Sequence, residues 1–309
     1  MASAKETNLT LAPLRVAPES LPGFRVCLEL LKPVTWFAAI WAFVCGAVSS
    51  GAPLAGRWPE LLLGMVLAGP MVCGTSQAVN DWFDRHVDAI NEPDRPIPSG
   101  RMPGRWGLYV ALIWTALSLA VAVPLGRWGF GAAVFALLAA WAYSAPPLRL
   151  KRNGWWGNAA VALCYEGVPW FTGAAVMRGA LLSAPVLWLA LLYSFGAHGI
   201  MTLNDFKSVE GDRRSGIRSL PVQLGVAPAA RLACVVMALP QLVVIGLMIA
   251  WDHRLAAFAV GLLLACQLGL MGRLLQRPRE RAPWYNATGT TLYVIGMLVC
   301  AFALAGGGA

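Results

Sequence analysis

The segment Asn80-Asp81-Trp82-Phe83-Asp84-Arg85-His86-Val87-Asp88 carries three carboxylates and an amide at spacings that fit one side of a helix. At about 100° per residue, Asn80, Asp84, Asp88 and Asp81 fall at roughly 0°, 40°, 80° and 100°. Carboxylates so placed repel one another unless a cation stands between them, and oxygen ligands suit a hard divalent ion. Magnesium is often held by one or two carboxylates together with phosphate oxygens of a ligand. A second segment, Asn204-Asp205-Phe206-Lys207-Ser208-Val209-Glu210-Gly211-Asp212-Arg213-Arg214, repeats the Asn-Asp opening. Asp205 and Asp212 can share a helical face there, whereas Glu210 points elsewhere and Gly211 offers a place for the helix to end. Lys207, Arg213 and Arg214 set cationic donors among the acids, a mixture that suits a metal–diphosphate complex better than a bare cation cage. The expected metal ligands are Asp84, Asp88, Asp205 and Asp212, with Asp81 and Glu210 as further candidates and Asn80 beside them.

Other polar residues sharpen this site. Asn91 to Arg101 contains Pro93, Pro96 and Pro98, which predict a stiff loop rather than a helix. Its Arg95 and Arg101 can make forked contacts to diphosphate oxygens. In Tyr143-Ser144-Ala145-Pro146-Pro147-Leu148-Arg149-Leu150-Lys151-Arg152, Tyr143 can hydrogen-bond a leaving group that Arg149 or Lys151 neutralises. The same basic residues read equally well as topology signals. Glu166 falls near the middle of an apolar run, where a carboxylate must face the interior and find a partner or a proton. Glu166, His198 and Trp170 are candidates for an acceptor cavity, although His198 also reads as a satisfied core histidine and the tryptophans as an interfacial belt.

The elements that must position these residues are membrane helices. Of 309 residues, 58% are hydrophobic and 13% charged, and the mean hydropathy is +0.62, whereas a soluble domain is roughly one-quarter charged. Apolar runs predict nine spans, at about 34–50, 61–80, 106–124, 129–146, 157–177, 183–203, 229–250, 255–272 and 287–305. The third and fourth are separated only by Gly126-Arg127-Trp128-Gly129, the seventh and eighth only by Trp251-Asp252-His253-Arg254. The runs are continuous and helix-length, which excludes an alternating β-barrel. This topology places both acidic segments on the side that holds all of the 24 Lys and Arg except Arg57, Arg127, Arg178 and Arg254. The positive-inside bias makes that side cytoplasmic, with the N-terminus inside and the C-terminus outside.

The net charge of +9 is loop charge of this kind, so nucleic acid is not an expected partner. Seven scattered cysteines without a CxxC pair suggest neither a disulfide framework nor a thiolate site. Residues 1–23 read as a flexible tail without a cleaved signal, and Phe24 to Leu31 as a segment lying along the membrane surface. Residues 24–309 form one transmembrane domain, with acidic segments at 80–101 and 204–218. Each acidic segment follows the second helix of a group of four, which hints at an internal repeat facing one cavity.

Taken together, Leu31-Lys32-Pro33-Val34-Thr35-Trp36-Phe37, Asn80 through Pro93, Arg95-Pro96-Ile97-Pro98-Ser99-Gly100, Tyr143 through Leu148, and Asn204 through Asp212 resemble the UbiA-type membrane prenyltransferases. The stretch from Lys207, followed by Ser219-Leu220-Pro221-Val222, is similar to the (bacterio)chlorophyll synthase branch, and Gln77 through Asp88 looks like its purple-bacterial form. The resemblance implies an all-α bundle of nine transmembrane helices around a central cavity. It implies a magnesium-dependent enzyme of the cell inner membrane or photosynthetic intracytoplasmic membrane. Its donor would be geranylgeranyl or phytyl diphosphate and its acceptor the ring-D propionate of bacteriochlorophyllide a, with membrane lipids around it and pigment-biosynthesis or photosystem assembly proteins as partners. It carries the metal-site role onto Asn80, Asp84, Asp88, Asp205 and Asp212. The alternatives are a chlorophyll a synthase, a quinone or haem prenyltransferase and, outside enzymes, a transporter or a pigment-binding protein.

Overall fold

The computed structural model of the protein describes residues 21–306. The expected tail lies outside them, apart from Leu21, Pro22 and Gly23. Apart from a single backbone bridge between Asn153 and Arg218, the regular structure among the described residues is helical.

Eight stretches among the described residues are long and apolar enough to cross a bilayer. The nine expected spans differ from this at one place, the stretch Trp106–Ser144. It contains α5 (Trp106–Ala122) and α6 (Gly126–Ser144), joined by a tight turn over Val123–Leu125. Gly126 has φ 69°, a left-handed conformation that an α-helix of L-residues does not pass through. The two ends of the stretch meet at one place. Gly107 lies beneath Ile97 and Trp82, and the Trp141 ring sits edge-on to Phe83, 6.2 Å between centroids.

The remaining elements follow in chain order: α1 (Phe24–Leu31), α2 (Trp36–Ser49), α3 (Trp58–Val66) and α4 (Gly74–Asn91) precede the hairpin. After it come α7 (Gly154–Ala162), α8 (Val168–Arg178), α9 (Ala184–Asn204), α10 (Val209–Arg214), α11 (Leu220–Leu224), α12 (Val226–Ala250), α13 (Arg254–Leu274) and α14 (Pro278–Gly306). Helix α1 buries Leu30 and Leu31 against Ala78 and Val79 of α4, and the left-handed Lys32 (φ 48°) separates it from α2. Two π-helical turns, Leu67–Cys73 between α3 and α4 and Leu163–Gly167 between α7 and α8, interrupt otherwise continuous helices. The first contains Pro70, which has no N–H to give. The Pro70 carbonyl accepts the Trp114 indole N–H at 3.1 Å, so it is satisfied within the bundle.

Small residues bring the helices together. A Cβ on Gly46 of α2 would stand 2.0 Å from the Trp170 carbonyl oxygen, and one on Gly173 of α8 would stand 2.1 Å from that of Phe43. Helices α2 and α8 therefore cross backbone to backbone, which lipid-embedded helices use in place of a hydrophobic driving force. The polarity is that of a membrane protein: Leu239, Leu242, Phe258 and Leu262 face outward, whereas Ala229 and Ala233 are fully buried.

Candidate functional site

Helix α4 runs without a break through the first acidic segment, as its spacing predicts. Its acids divide into two sets. Asp84 accepts from the Asn80 amide at 3.0 Å, with Lys151 Nζ at 2.5 Å and Arg149 at 3.5 Å. Asp81 pairs with Lys32 at 2.7 Å, and Arg95 bridges Asp81 at 3.3 Å and Asp88 at 2.8 Å. The helical angles explain the split: Asp88 lies nearer in rotation to Asp81 than to Asn80. Asp81, with a side chain 1% exposed, belongs to a cationic niche beside the expected ligand set. Left-handed residues turn the cations inward on both sides, Lys32 itself and Arg149 at φ 41°.

The second segment departs from a single helix. Helix α9 stops at Asn204, Asp205–Lys207 form a tighter turn, and α10 begins again at Val209. Gly211 lies inside α10 and does not end it. Asp205 accepts from the Asn158 amide at 3.1 Å, and Asp212 from the Ser208 hydroxyl at 3.2 Å. Glu210 is set apart on the exposed side of α10, facing Arg213 at 3.7 Å and Arg214 at 3.8 Å. Helix α10 packs against α4, and Tyr143 lines the same cavity wall as Asn80 of the first segment and Asn204 and Lys207 of the second. The two acidic segments are therefore brought together beside Tyr143. Burial pushes the Asp212 carboxyl up, against the hydroxyls of Ser219 and Ser208, and pushes the Lys151 ammonium down, against the attraction of Asp84.

Beneath this charged rim is a cavity of about 740 Å³. Asn80, Tyr143, Asn204, Lys207 and Asn286 line it at the acidic end. Ala132, Ala133, Ala136, Ala139 and Ala140 form one smooth wall on α6, and Phe43, Gly64 and Thr172 lie toward the other end. Midway, the Tyr165 hydroxyl accepts from Gln77 at 2.8 Å and from the Cys73 thiol at 3.3 Å, so the two π-helical turns meet across the cavity. The Asn286 side-chain amide donates to Oδ1 of Asn204 at 2.7 Å. Sequence reasoning missed Gln77, Tyr165 and Asn286; for Gln77 and Tyr165 the available signal was a polar side chain inside an apolar run, the same signal that singled out Glu166.

Several expected site residues lie elsewhere. Arg101 forms a fork on Glu29, at 2.5 and 2.7 Å, and fastens the proline-rich loop to α1. Arg95 is taken up by Asp81, Asp88 and Glu92 rather than lining the cavity. His198 does not line it either; its ring tilts against Trp155 at 6.0 Å and meets the Trp155 carbonyl. Trp170 is core, fully buried, stacked on Tyr193 at 5.8 Å and donating to Ser49 at 3.0 Å. Glu166 is buried and does not line the cavity, with one carboxylate oxygen unpartnered.

Among the described residues no three Asp, Glu, His or Cys side chains converge to cage a bare ion. The donors beside Tyr143 are all oxygen, and Lys151, Arg149 and Lys207 stand around them. That set fits a magnesium ion that shares its coordination with diphosphate oxygens, and it does not fit an ion bound by protein alone.

The model of the UbiA prenyltransferase family matches residues 35–295. This chain belongs to the UbiA prenyltransferase family. Within it, the chain is 61% identical over 293 residues to the bacteriochlorophyll synthase 33 kDa chain of Cereibacter sphaeroides, covering 95% of this chain and 97% of the relative. It is 37% identical to the chloroplastic chlorophyll synthase of Arabidopsis thaliana, over 94% of this chain and 77% of that protein. The fold is that of the UbiA homolog of Archaeoglobus fulgidus solved with GPP and Mg2+: TM-score 0.68 at 20% identity, over 90% of this chain and 98% of that one. This family member is an all-α, multi-pass membrane protein.

Proposed function

We propose that the protein is a magnesium-dependent prenyltransferase that esterifies the ring-D propionate of bacteriochlorophyllide a with geranylgeranyl or phytyl diphosphate, releasing diphosphate. The observation that carries this reading is the pair of acidic segments brought together beside Tyr143 at the mouth of an apolar cavity. The 61% identity to a bacteriochlorophyll synthase supports the pigment acceptor.

In this reading Asp84, Asp205 and Asp212, with Asn80 alongside and Asp88 beside them on α4, would hold magnesium together with the donor diphosphate. Bound there, the ion stabilises negative charge on the departing diphosphate. Lys151, Arg149 and Lys207 add cationic donors to that charge, and Tyr143 donates its hydroxyl to the leaving oxygen. The alanine wall of α6 accommodates the C20 chain in contact with apolar surface and excludes water that would capture the allylic carbon. The acceptor carboxylate is already anionic, so its oxygen bonds to C1 as the C1–oxygen bond to diphosphate breaks. No enzyme base and no covalent enzyme intermediate are needed.

The hairpin of α5 and α6 supports two crossings and a total of nine, with both acidic segments at the cytoplasmic face of the inner or intracytoplasmic membrane. The basic residues clustered at that end support the orientation.

The test is a reconstituted assay with bacteriochlorophyllide and chlorophyllide acids, each with geranylgeranyl and phytyl diphosphate, with and without EDTA. Magnesium-dependent ester from bacteriochlorophyllide is expected. A clear preference for chlorophyllide would favour the chlorophyll synthase reading that the 37% identity to the Arabidopsis thaliana enzyme keeps in view.

A further inference from the structure

A second pocket, of about 680 Å³, lies at the end of the bundle opposite the acidic segments. It is bounded where α2, α8 and α14 end and where α9 begins, together with the turn between α12 and α13. Arg57 on its rim and Asp84 belong to one nearly continuous helical run, which separates the two ends by about 40 Å at the α-helical rise. The second pocket is thus remote from the proposed reaction.

Its lining is cationic. Only Arg57, Arg127, Arg178 and Arg254 were expected at this end of the protein, and both Arg57 and Arg178 line the pocket, with His253 beside them. No Asp or Glu lines it. Arg57 holds the Met177 carbonyl and stands 3.5 Å from Glu60, a partly exposed pair that leaves guanidinium edge available. Arg178 is exposed and makes no ion pair or side-chain hydrogen bond among the described residues. The first turn of α9 also borders the pocket: Ser183, its N-cap residue, makes no side-chain capping bond, and since Pro185 has no N–H, the Ala184 and Val186 N–H groups are the ones left at this helix start. Ser49 and Ser50 also line it, with their hydroxyls turned to backbone carbonyls of α2, and an apolar part is formed by Val186, Trp251 and Leu304. An anion with an apolar body fits such a site; an inorganic ion leaves the apolar part unfilled.

We propose that this pocket binds an anionic phospholipid, its phosphodiester between Arg57 and Arg178 and its glycerol and upper acyl carbons against Val186, Trp251 and Leu304. The depth is right for it, because the helix ends that form the pocket lie where lipid headgroups begin.

The test uses full-length protein in phosphatidylcholine nanodiscs titrated with phosphatidylglycerol, with bound lipid read by native mass spectrometry. Arg178→Gln should hold phosphatidylglycerol about fivefold less tightly, the effect of roughly one arginine near a charged headgroup, while ester formation in phosphatidylcholine stays unchanged. Arg57→Gln should weaken it further. Arg127→Gln and Arg254→Gln, which remove charge outside the pocket, should leave lipid affinity as it was. Equal losses in those controls would reduce the effect to general surface charge and overturn the site, as would unchanged affinity in Arg178→Gln. Inorganic phosphate that binds as tightly in pure phosphatidylcholine as phosphatidylglycerol does would assign the pocket to the free ion and overturn the lipid reading.

Discussion

The ammonium of Lys151, with a side chain 6% exposed, lies 2.5 Å from a carboxylate oxygen of Asp84, a residue 65 positions away from its neighbour Arg149 in the chain. Burial favours the neutral form of a lysine this enclosed, and the Asp84 carboxylate opposes that. In the proposed reaction the same ammonium is positioned to receive negative charge from the leaving diphosphate. Lys151→Met should therefore lower the single-turnover rate of ester formation by about two orders of magnitude, the usual cost of removing one preorganised donor. Lys151→Arg should recover only part of it, since the niche is shaped for a compact charge. A Lys151→Met enzyme with the wild-type single-turnover rate would remove Lys151 from the leaving-group site.

Asp84→Asn and Asp205→Asn should each reduce ester formation severely while leaving membrane insertion intact. Each keeps the size of the side chain and removes a charge that the proposed ion requires. The informative condition is limiting magnesium, and near-wild-type rates there would end their assigned roles.

The magnesium requirement should depend on pH. Burial holds the Asp212 carboxyl above the usual carboxylate range, so protons compete with the metal at higher pH than at an ordinary aspartate. The magnesium concentration for half-maximal rate should rise as pH is lowered from neutrality. Asp212→Asn should flatten that dependence at a lower rate. A requirement unchanged across the acid range would take Asp212 out of the ligand set.

His198→Ala should leave the apparent KM for both substrates close to wild type, because the ring meets Trp155 outside the cavity. Trp170→Ala should act differently, costing about 3–5 kcal/mol of stability as a fully buried tryptophan truncated to a void. Thermal unfolding and acceptor titration separate the two effects. A raised acceptor KM in His198→Ala would place the histidine back in the site.

What the sequence made legible was whatever depends on local period and local charge. The spans, the continuous helix through Asp84 and the pairing of two acidic ends all follow from runs and spacing. The eight stretches and nine expected spans differ only at Gly126, where a turn too short to be polar for long joins two apolar runs. The division of Asp81 from Asp84 was not legible, because it depends on Lys32 and Arg95 approaching from other parts of the chain. Arg101 read as a diphosphate ligand by type and placement, but Glu29 competes for it from α1. Asn286 carried no local signal at all, since its partner Asn204 is contributed by a distant helix.

The π-helical turn Leu67–Cys73 also has a consequence for how this helix tolerates insertion and deletion. A helix carries its side chains like a screw thread, and a π turn is a place where the thread has gained one residue. Deleting a residue within 67–73 would let an ordinary α-helical ladder close, so the helix itself would survive. Everything beyond it would turn by about 100°. Gly64 would still rest on Phe43, but Asp84 would leave Lys151 and Asp81 would leave Lys32. The helix thus keeps two phases, one locked to packing and one to charge, and the extra residue is the offset between them.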